Sequence, residues 1–223
     1  MSMDHDVARA MLVKALRYEV GDERVLAAMA RVPRERFLPL DLQRYAYEDR
    51  PLPIGHGQTI SQPLMVAMMT EAMDLSGPEK VLEVGAGSGY QAALLAELAQ
   101  HVVTVERIPK LAEEAARRLH DLGYCNVEVR VAGDCLGWPE SAPYDAILVT
   151  AGAPHVPQSL LDQLRRGGRL VIPVGQRRVQ QLMLVTNAAS GVSVQNLGEC
   201  RFVPLIGADA WDESEAPTDQ ILP

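Results

Sequence analysis

Short apolar runs rich in β-branched residues alternate with amphipathic segments from residue 80 onward, and this alternation constrains the fold of the 223-residue chain more than any other feature. Such runs predict strands, and the segments between them predict helices. Strands that alternate with helices form βαβ units, whose mainly parallel sheet is covered by helices on both faces. The predicted fold is therefore α/β, with a doubly wound, mainly parallel sheet. We predict strands at 80–84, 102–106, 127–132, 146–150 and 169–174, and helices at 90–100, 110–122 and 157–165.

The residues before this alternation predict an N-terminal helical extension. In residues 4–32 the apolar positions fall on helical faces, with an interruption at Gly21. Residues 37–58 contain several prolines and glycines and predict a long loop, a feature that is often functional. The helix that follows is predicted to begin with Ser61 as its N-cap, and it completes an extension of residues 1–75.

The chain after the last predicted parallel strand has apolar runs without a helix between them. Residues 181–186 and 192–205 predict an antiparallel hairpin with Gly191 in its turn, at one edge of the sheet. The main domain is therefore predicted to cover residues 76–207. Residues 208–223 contain Asp and Glu but no Lys or Arg, so we predict a flexible acidic tail.

Composition and charge exclude several classes of partner. The formal net charge is −8, whereas nucleic-acid-binding proteins usually present a basic face, so no nucleic-acid partner is predicted. No apolar run approaches the roughly 18 to 20 residues of a membrane span, and the N-terminus lacks the apolar segment of a secretory signal. Cys125, Cys135 and Cys200 have neither disulfide-framework nor metal-ligand spacing, so no metal is predicted. We expect a cytoplasmic monomer.

The first predicted strand runs into the glycine-rich segment Gly85-Ala86-Gly87-Ser88-Gly89, which indicates a ligand-binding turn. A dinucleotide fingerprint needs its third glycine at position 90, where the residue is Tyr90. A hydrolase nucleophile elbow needs glycine two residues before Ser88, where the residue is Ala86. The carboxylate of Glu83 would repel a pyrophosphate but attract the cationic methionine end of S-adenosylmethionine.

Acidic residues also follow the next two predicted strands. Glu106 ends the second strand, where a carboxylate can accept hydrogen bonds from both hydroxyls of a ribose. Asp134 follows the third strand, where it can meet the amino group of an adenine. Either acid alone could be a helix cap. Together with Glu83 they predict an adenosine pocket along the carboxyl ends of three consecutive strands.

Five segments resemble the motifs of the protein-L-isoaspartate O-methyltransferase family. The most specific is Ile54-Gly55-His56-Gly57-Gln58-Thr59-Ile60-Ser61-Gln62-Pro63, which is similar to the signature loop of that family. The other segments are Glu83–Tyr90, Ala142–Ile147, Gln163–Leu170 and Arg201–Leu205. The glycine-rich segment alone would indicate only the wider class of methyltransferases.

The resemblance extends from about residue 36 to residue 207 and implies an activity. It implies transfer of a methyl group from S-adenosylmethionine to the free α-carboxylate of L-isoaspartyl residues in damaged proteins and peptides. It also implies that the ester then closes to a succinimide, whose hydrolysis restores some normal aspartate. The implied sheet is of the S-adenosylmethionine-dependent methyltransferase type.

The resemblance also implies roles for individual residues. Ser61 is implied to be the active-site serine, with Thr59 and Ile60 beside it at the substrate. Six residues are implied in cofactor binding: Glu83, Gly85 and Gly87 at the methionine end, Gly89 in the same glycine-rich segment, Glu106 at the ribose and Asp134 at the adenine. One departure is visible, because the family usually has glycine where this chain has Cys135. If that position needs a positive φ, the adenine loop must bend differently.

Other reactions remain to be weighed against this one. Methylation of an amino group needs an Asn/Asp-Pro-Pro-Tyr/Phe run after the fourth strand, where this chain has Thr150-Ala151-Gly152-Ala153-Pro154. Methylation of cytosine carbon needs a Pro-Cys pair, and no cysteine here follows a proline. Small-molecule O-methylation stays open, and so does a non-catalytic adaptor that only binds adenosine. Turnover distinguishes the adaptor from an enzyme.

Overall fold

Helices and a small hairpin form the N-terminal part of the chain. The structure is a computed structural model, and it describes residues 4–189 and 191–212. The elements of this part are α1 (His5–Leu16), α2 (Glu23–Arg31), β1 (Leu52–Gly55), β2 (Gln58–Ile60) and α3 (Pro63–Ala72). The side chains of Asp4 and Asp22 accept hydrogen bonds from first-turn amides of α1 and α2. These bonds satisfy donors that the start of a helix leaves free. The predicted interruption at Gly21 is confirmed.

The prediction of an irregular loop over residues 37–58 is wrong in its last part, which forms a hairpin. β1 pairs with β2 in antiparallel fashion around the turn His56–Gly57. Both turn residues have positive φ, 53° for His56 and 69° for Gly57. A turn of this kind usually carries Asn or Asp before the glycine. This chain has His56 in that position, so the sequence lacks the usual Asn-Gly or Asp-Gly pair and did not predict the hairpin.

The predicted N-cap of the third helix is also wrong. α3 begins at Pro63 and its N-cap residue is Gln62, whose side chain makes no capping bond. Asp49 takes over this role from outside the helix. Its carboxylate accepts hydrogen bonds from the Leu64 amide and from Nε2 of Gln62, both at 2.9 Å. Ser61 is consequently free of a capping role.

A seven-stranded sheet forms the centre of the molecule. Its strands are β3 (Lys80–Val84), β4 (His101–Glu106), β5 (Val127–Val131), β6 (Tyr144–Val149), β7 (Leu164–Gln176), β8 (Val179–Ala188) and β9 (Gly191–Cys200). Their order across the sheet is β5-β4-β3-β6-β7-β8-β9. Strands β3 to β7 are parallel, and β8 and β9 are antiparallel additions at one edge. The predicted doubly wound sheet with an antiparallel edge hairpin is confirmed.

The helices that connect the parallel strands are α4 (Tyr90–Ala96), α5 (Pro109–Asp121) and α6 (Gln158–Leu161). α4 and α6 are shorter than predicted. α6 ends early because Gln163 turns inward: its buried side chain accepts from the Trp138 amide and donates to the carbonyls of Leu136 and Ser159. β7 starts directly afterwards. Within the described ranges, no helix is long and apolar enough to cross a membrane.

The segment after β9 leaves the sheet, which corrects the prediction of a strand as far as residue 205. Gly152 beyond β6 donates to the Val203 carbonyl and accepts from the Leu205 amide, both at 2.8 Å. The first residues of the predicted acidic tail are also packed against the domain. Nε1 of Trp211 donates to the Gly152 carbonyl at 3.1 Å, and the Arg177 guanidinium lies 4.7 Å from the indole ring. The rest of that tail, from residue 213, lies outside the described residues.

Removal of residues 208–212 is expected to destabilise the domain. A chain that ends at Gly207 loses the indole packing and hydrogen bond of Trp211, together worth about 1–3 kcal/mol of unfolding free energy. A chain that ends at Asp212 is the control. Urea unfolding of the two chains measures the difference, and superimposable curves would mean that the Trp211 contacts contribute nothing.

Candidate active site

One cavity of about 530 Å³ opens at the carboxyl ends of the parallel strands. Its walls come from the loops after β3, β4, β5 and β6, from the end of the N-terminal hairpin, and from residues 203–208 with Trp211 and Asp212. In a doubly wound sheet this edge is the place where ligands bind. The predicted cofactor loop and the predicted substrate loop therefore meet in one space.

The glycine loop after β3 turns away from the sheet with its backbone exposed to the cavity. The amides of Gly85 and Ala86 both donate to the Val105 carbonyl, at 2.8 and 3.1 Å. Gly85 has a φ of +104°, which side chains rarely allow. A Cβ at this position would stand 2.3 Å from Oγ1 of Thr150. The loop geometry at Gly85 therefore requires glycine.

Gly89 does not line the cavity with its neighbours Gly85 and Gly87. It precedes α4 with a φ of +91°, and a Cβ there would lie 3.3 Å from Ala115 and 3.4 Å from Leu119 on α5. The absence of a side chain at Gly89 allows the start of α4 to pack closely against α5. The structure thus gives Gly89 a packing role, and its predicted cofactor contact stays a prediction.

Glu83 lies near the end of β3 at the cavity, and its side chain is completely buried. Oε2 accepts a hydrogen bond of 2.5 Å from Oγ1 of Thr104, and Oε1 has no partner among the described residues. Burial, opposed by this hydrogen bond and aided by the charge of Glu106, raises the pKa of Glu83 to about 8. A buried oxygen without a partner fits a ligand that brings a cationic donor, as the methionine end of S-adenosylmethionine does.

The raised pKa of Glu83 predicts a pH-dependent stability. Between the ordinary pKa of 4.5 and about 8, the folded protein without ligand keeps a proton that the unfolded chain has released. Stability from this group therefore falls as pH rises through that window. From pH 6 to pH 8 the wild type should lose about 2 kcal/mol more than Glu83→Gln. Urea unfolding at several pH values measures this, and parallel profiles for the two proteins would contradict the assignment.

Glu106 connects the second strand with the glycine loop. Its Oε2 accepts from the Gly87 amide at 2.8 Å and its Oε1 accepts from the Ile108 amide at 3.0 Å. The side chain is buried but borders the cavity. A carboxylate has about four lone-pair positions, so both oxygens can still accept the hydroxyls of a ribose. Glu106 is placed where the sequence predicted it.

Asp134 lies exposed at the cavity, in the loop that follows β5. The neighbouring Cys135, where the family usually has glycine, also borders the cavity. Its φ is not positive, and the left-handed turn of this loop falls on Gly137 instead, at 80°. The loop therefore accommodates a cysteine without backbone strain at that position.

The predicted substrate residues Thr59, Ile60 and Ser61 line the same cavity. They occupy the end of β2 and the connection to α3. Ile60 is buried, and Ser61 is half-buried with its backbone carbonyl held at 2.8 Å by Nη2 of Arg34. The structure thus brings the three predicted substrate residues beside Glu83 and Glu106.

Several cavity residues were not predicted from the sequence. Thr150 directly follows β6, the fourth parallel strand, and its hydroxyl donates to the Gly85 carbonyl at 2.6 Å. A polar residue at the end of a strand was the signal that identified Glu106 and Asp134, and it also applied here. Trp211 gave no such signal, because its position in the wall depends on contacts with distant segments.

The sheet order, the glycine loop and the acidic residues around one cavity define the class: an S-adenosylmethionine-dependent α/β methyltransferase. A family model described as protein-L-isoaspartate(D-aspartate) O-methyltransferase matches residues 7–210. The chain belongs to this family, as the resemblance of its motifs predicted.

Individual relatives agree with this assignment. Protein-L-isoaspartate O-methyltransferase 1 of Syntrophobacter fumaroxidans is 56% identical over 193 residues, which are 86% of this chain and 90% of the relative. A solved protein-L-isoaspartate O-methyltransferase is 33% identical with a TM-score of 0.81, over 91% of this chain and 67% of that protein. A structure from Plasmodium falciparum, described as a putative member in complex with S-adenosyl-L-homocysteine, has a TM-score of 0.73 at 24% identity, over 87% and 96% of the two chains.

Proposed function

We propose that the chain transfers the methyl group of S-adenosylmethionine to the free α-carboxylate of L-isoaspartyl residues in damaged proteins and peptides, and that Ser61 contacts the acceptor. The backbone amide nitrogen that follows the esterified residue then attacks the ester carbonyl and displaces methanol, which closes a succinimide without the enzyme. The observation that carries this proposal is the single cavity in which the Thr59–Ser61 segment faces Glu83 and Glu106. Cofactor and acceptor can therefore meet away from bulk water.

One group of cavity residues is assigned to the cofactor in this proposal. Glu83 pairs with the cationic methionine end, Glu106 accepts from the ribose hydroxyls and Asp134 accepts from the adenine amino group. Gly85 and Gly87 give the loop its positive φ values of 104° and 51°, which place its backbone at the cavity. S-adenosylmethionine, when bound, supplies a methyl group on a sulfonium that is ready for attack by a nucleophile.

The acceptor needs little acid–base help, because a carboxylate with a pKa near ~4 is already an anion at neutral pH. The protein has to align the acceptor and exclude water from it. The buried side chains of Ile60, Val66 and Leu205 line the cavity and provide an apolar wall. The hydroxyl of Ser61 can donate a hydrogen bond that orients the carboxylate. No Ser-His-Asp arrangement is required.

The test is methyl transfer from labelled S-adenosylmethionine to a peptide with one isoaspartate, compared with the same peptide containing aspartate. We expect label only on the isoaspartyl peptide, in an ester that alkali releases. Equal labelling of both peptides would contradict the repair assignment. Labelling of small carboxylates alone would favour small-molecule O-methylation, and cofactor binding without turnover would favour an adaptor.

Ser61→Ala is expected to slow transfer to the isoaspartyl peptide by about 10- to 100-fold, since one hydrogen bond to a charged acceptor is worth ~1.5–3 kcal/mol. Cofactor affinity should stay nearly unchanged, because the proposed cofactor contacts lie on other residues. Steady-state kinetics and calorimetry measure the two effects. The control is Ser141→Ala, on the turn before β6 and outside the cavity. Unchanged turnover in Ser61→Ala would remove this serine from the mechanism.

We further propose that the chain acts as a monomer in the cytoplasm. The three cysteines are free thiols, which suits a reducing compartment. A monomer leaves the cavity accessible to folded acceptor proteins. Light scattering at micromolar concentration tests the oligomeric state, and a stable dimer would contradict this proposal.

A further inference from the structure

Arg34 is a completely buried arginine in the turn that follows α2. Arginine is rarely buried unless an acidic partner neutralises it. Within the described residues no carboxylate forms an ion pair with Arg34, and Asp49 acts on it only through space. The N-terminal extension therefore carries a buried positive charge that no carboxylate neutralises by direct contact.

The guanidinium contacts three separate elements. Nε donates to the Ala46 carbonyl and Nη2 donates to the Ser61 carbonyl, both at 2.8 Å. The group lies over the ring of Tyr90, with Cζ 4.9 Å from its centroid. Nη1 is buried and has no hydrogen-bond partner among the described residues. Arg34 thus joins the segment before the hairpin, the proposed acceptor loop and the first residue of α4.

Two of the residues that Arg34 contacts line the cavity. Ser61 lines it from the acceptor side, and Tyr90 lines it from the end of the glycine loop. Arg34 itself does not line the cavity, so it stands directly behind both walls. A change in its position would move the acceptor loop relative to the cofactor loop.

The energetics argue against a purely structural role. A buried charge without an ionic partner is costly, and the two hydrogen bonds of Arg34 to backbone carbonyls offset only part of this cost. A buried Nη1 without a partner adds to this cost. Departures of this kind from optimal stability are expected at functional sites.

We propose that Arg34 is a positioning residue for methyl transfer: it fixes the Ser61 segment against Tyr90 and places a positive charge behind the site of the acceptor carboxylate. This inference rests on the proposed function. The charge acts at short range through a low-dielectric interior, where it is weakly screened. Arg34 therefore favours both the binding of an anionic acceptor and its alignment.

The experiment compares Arg34→Met, Arg34→Lys and the control Val25→Ala in transfer to the isoaspartyl peptide. Val25 is buried in the same hydrophobic cluster as Ala46 and Tyr90 but does not line the cavity. For Arg34→Met we expect kcat/KM to fall by about 30- to 100-fold, with the larger part in KM, while cofactor affinity changes by less than about threefold. Arg34→Lys keeps the charge and should recover about tenfold of the loss. Val25→Ala should lose stability only.

Some results would overturn the inference. These are kcat/KM values for a folded Arg34→Met close to the wild type, or an equal loss in Val25→Ala at temperatures where both proteins are folded. Should Arg34→Met fail to fold, Arg34→Gln and Arg34→Lys decide: a glutamine variant as active as the lysine variant would exclude a role of the charge. Failure of the proposed function is distinct, because the wild type itself would then leave the isoaspartyl peptide unlabelled.

Discussion

Gly85→Ala is expected to weaken the binding of S-adenosylmethionine by about 100- to 1000-fold. The new Cβ would stand 2.3 Å from Oγ1 of Thr150, a distance that real Cβ atoms do not show. Thr150 cannot simply turn away, since its hydroxyl donates to the Gly85 carbonyl at 2.6 Å. Backbone strain at a φ of +104° adds ~1–3 kcal/mol. Movement of the loop to relieve both effects removes the cofactor from its place.

Calorimetry with S-adenosylmethionine and S-adenosylhomocysteine measures this loss. Gly123→Ala is the matched control, because Gly123 has a similar φ of +84° after α5 but nothing within 4 Å of a new Cβ. It should lose about 1 kcal/mol of stability and no cofactor affinity. The double variant Gly85→Ala with Thr150→Ala removes the steric contact and should recover part of the affinity. Wild-type affinity in Gly85→Ala would contradict the assigned position of the cofactor.

The parts of the fold that were predicted correctly depend on local periodicity. The strands β3, β4 and β6 are short, mainly apolar runs, and β5 alternates apolar and charged residues. The carboxyl ends of these parallel strands lie on one edge of the sheet, whatever the lengths of the helices between them. Glu83, Glu106 and Asp134 could therefore be grouped from sequence alone. The structure places these three acids around one cavity.

The errors arise where a distant segment decides the local structure. Ser61 looked like a helix cap, but Asp49 caps α3 from outside the helix. Residues 201–205 have the apolar pattern of a strand, yet they pair with Gly152 and cover the cavity. The pattern of apolar and polar residues in a segment does not show which distant residue will bond to its backbone. Here those distant residues are Asp49 and Gly152.

Arg34 shows the same limit for a functional residue. It stands among charged neighbours in Arg34-Glu35-Arg36, a composition typical of an exposed turn. Its guanidinium donates to the carbonyl of Ala46, in the segment before the hairpin, and to that of Ser61, directly after the hairpin. Only the tertiary structure could reveal this contact.

Glu106→Ala is expected to weaken S-adenosylmethionine binding by ~2–4 kcal/mol, which is about 30- to 1000-fold. Two effects combine in this loss. The carboxylate anchors the amides of Gly87 and Ile108, so its removal loosens the glycine loop. It also removes the proposed acceptor of the ribose hydroxyls. Glu106→Gln keeps the size of the side chain and one carbonyl oxygen, and should lose less.

A cofactor analogue separates the two effects. S-adenosylhomocysteine and its form without ribose hydroxyls should differ strongly in affinity for the wild type, since only the complete ribose can donate to Glu106. The same pair should differ little in Glu106→Ala, because the acceptor is gone and the loosened loop affects both ligands equally. An undiminished difference in Glu106→Ala would show that another group accepts the ribose, and that Glu106 acts only by anchoring Gly87 and Ile108.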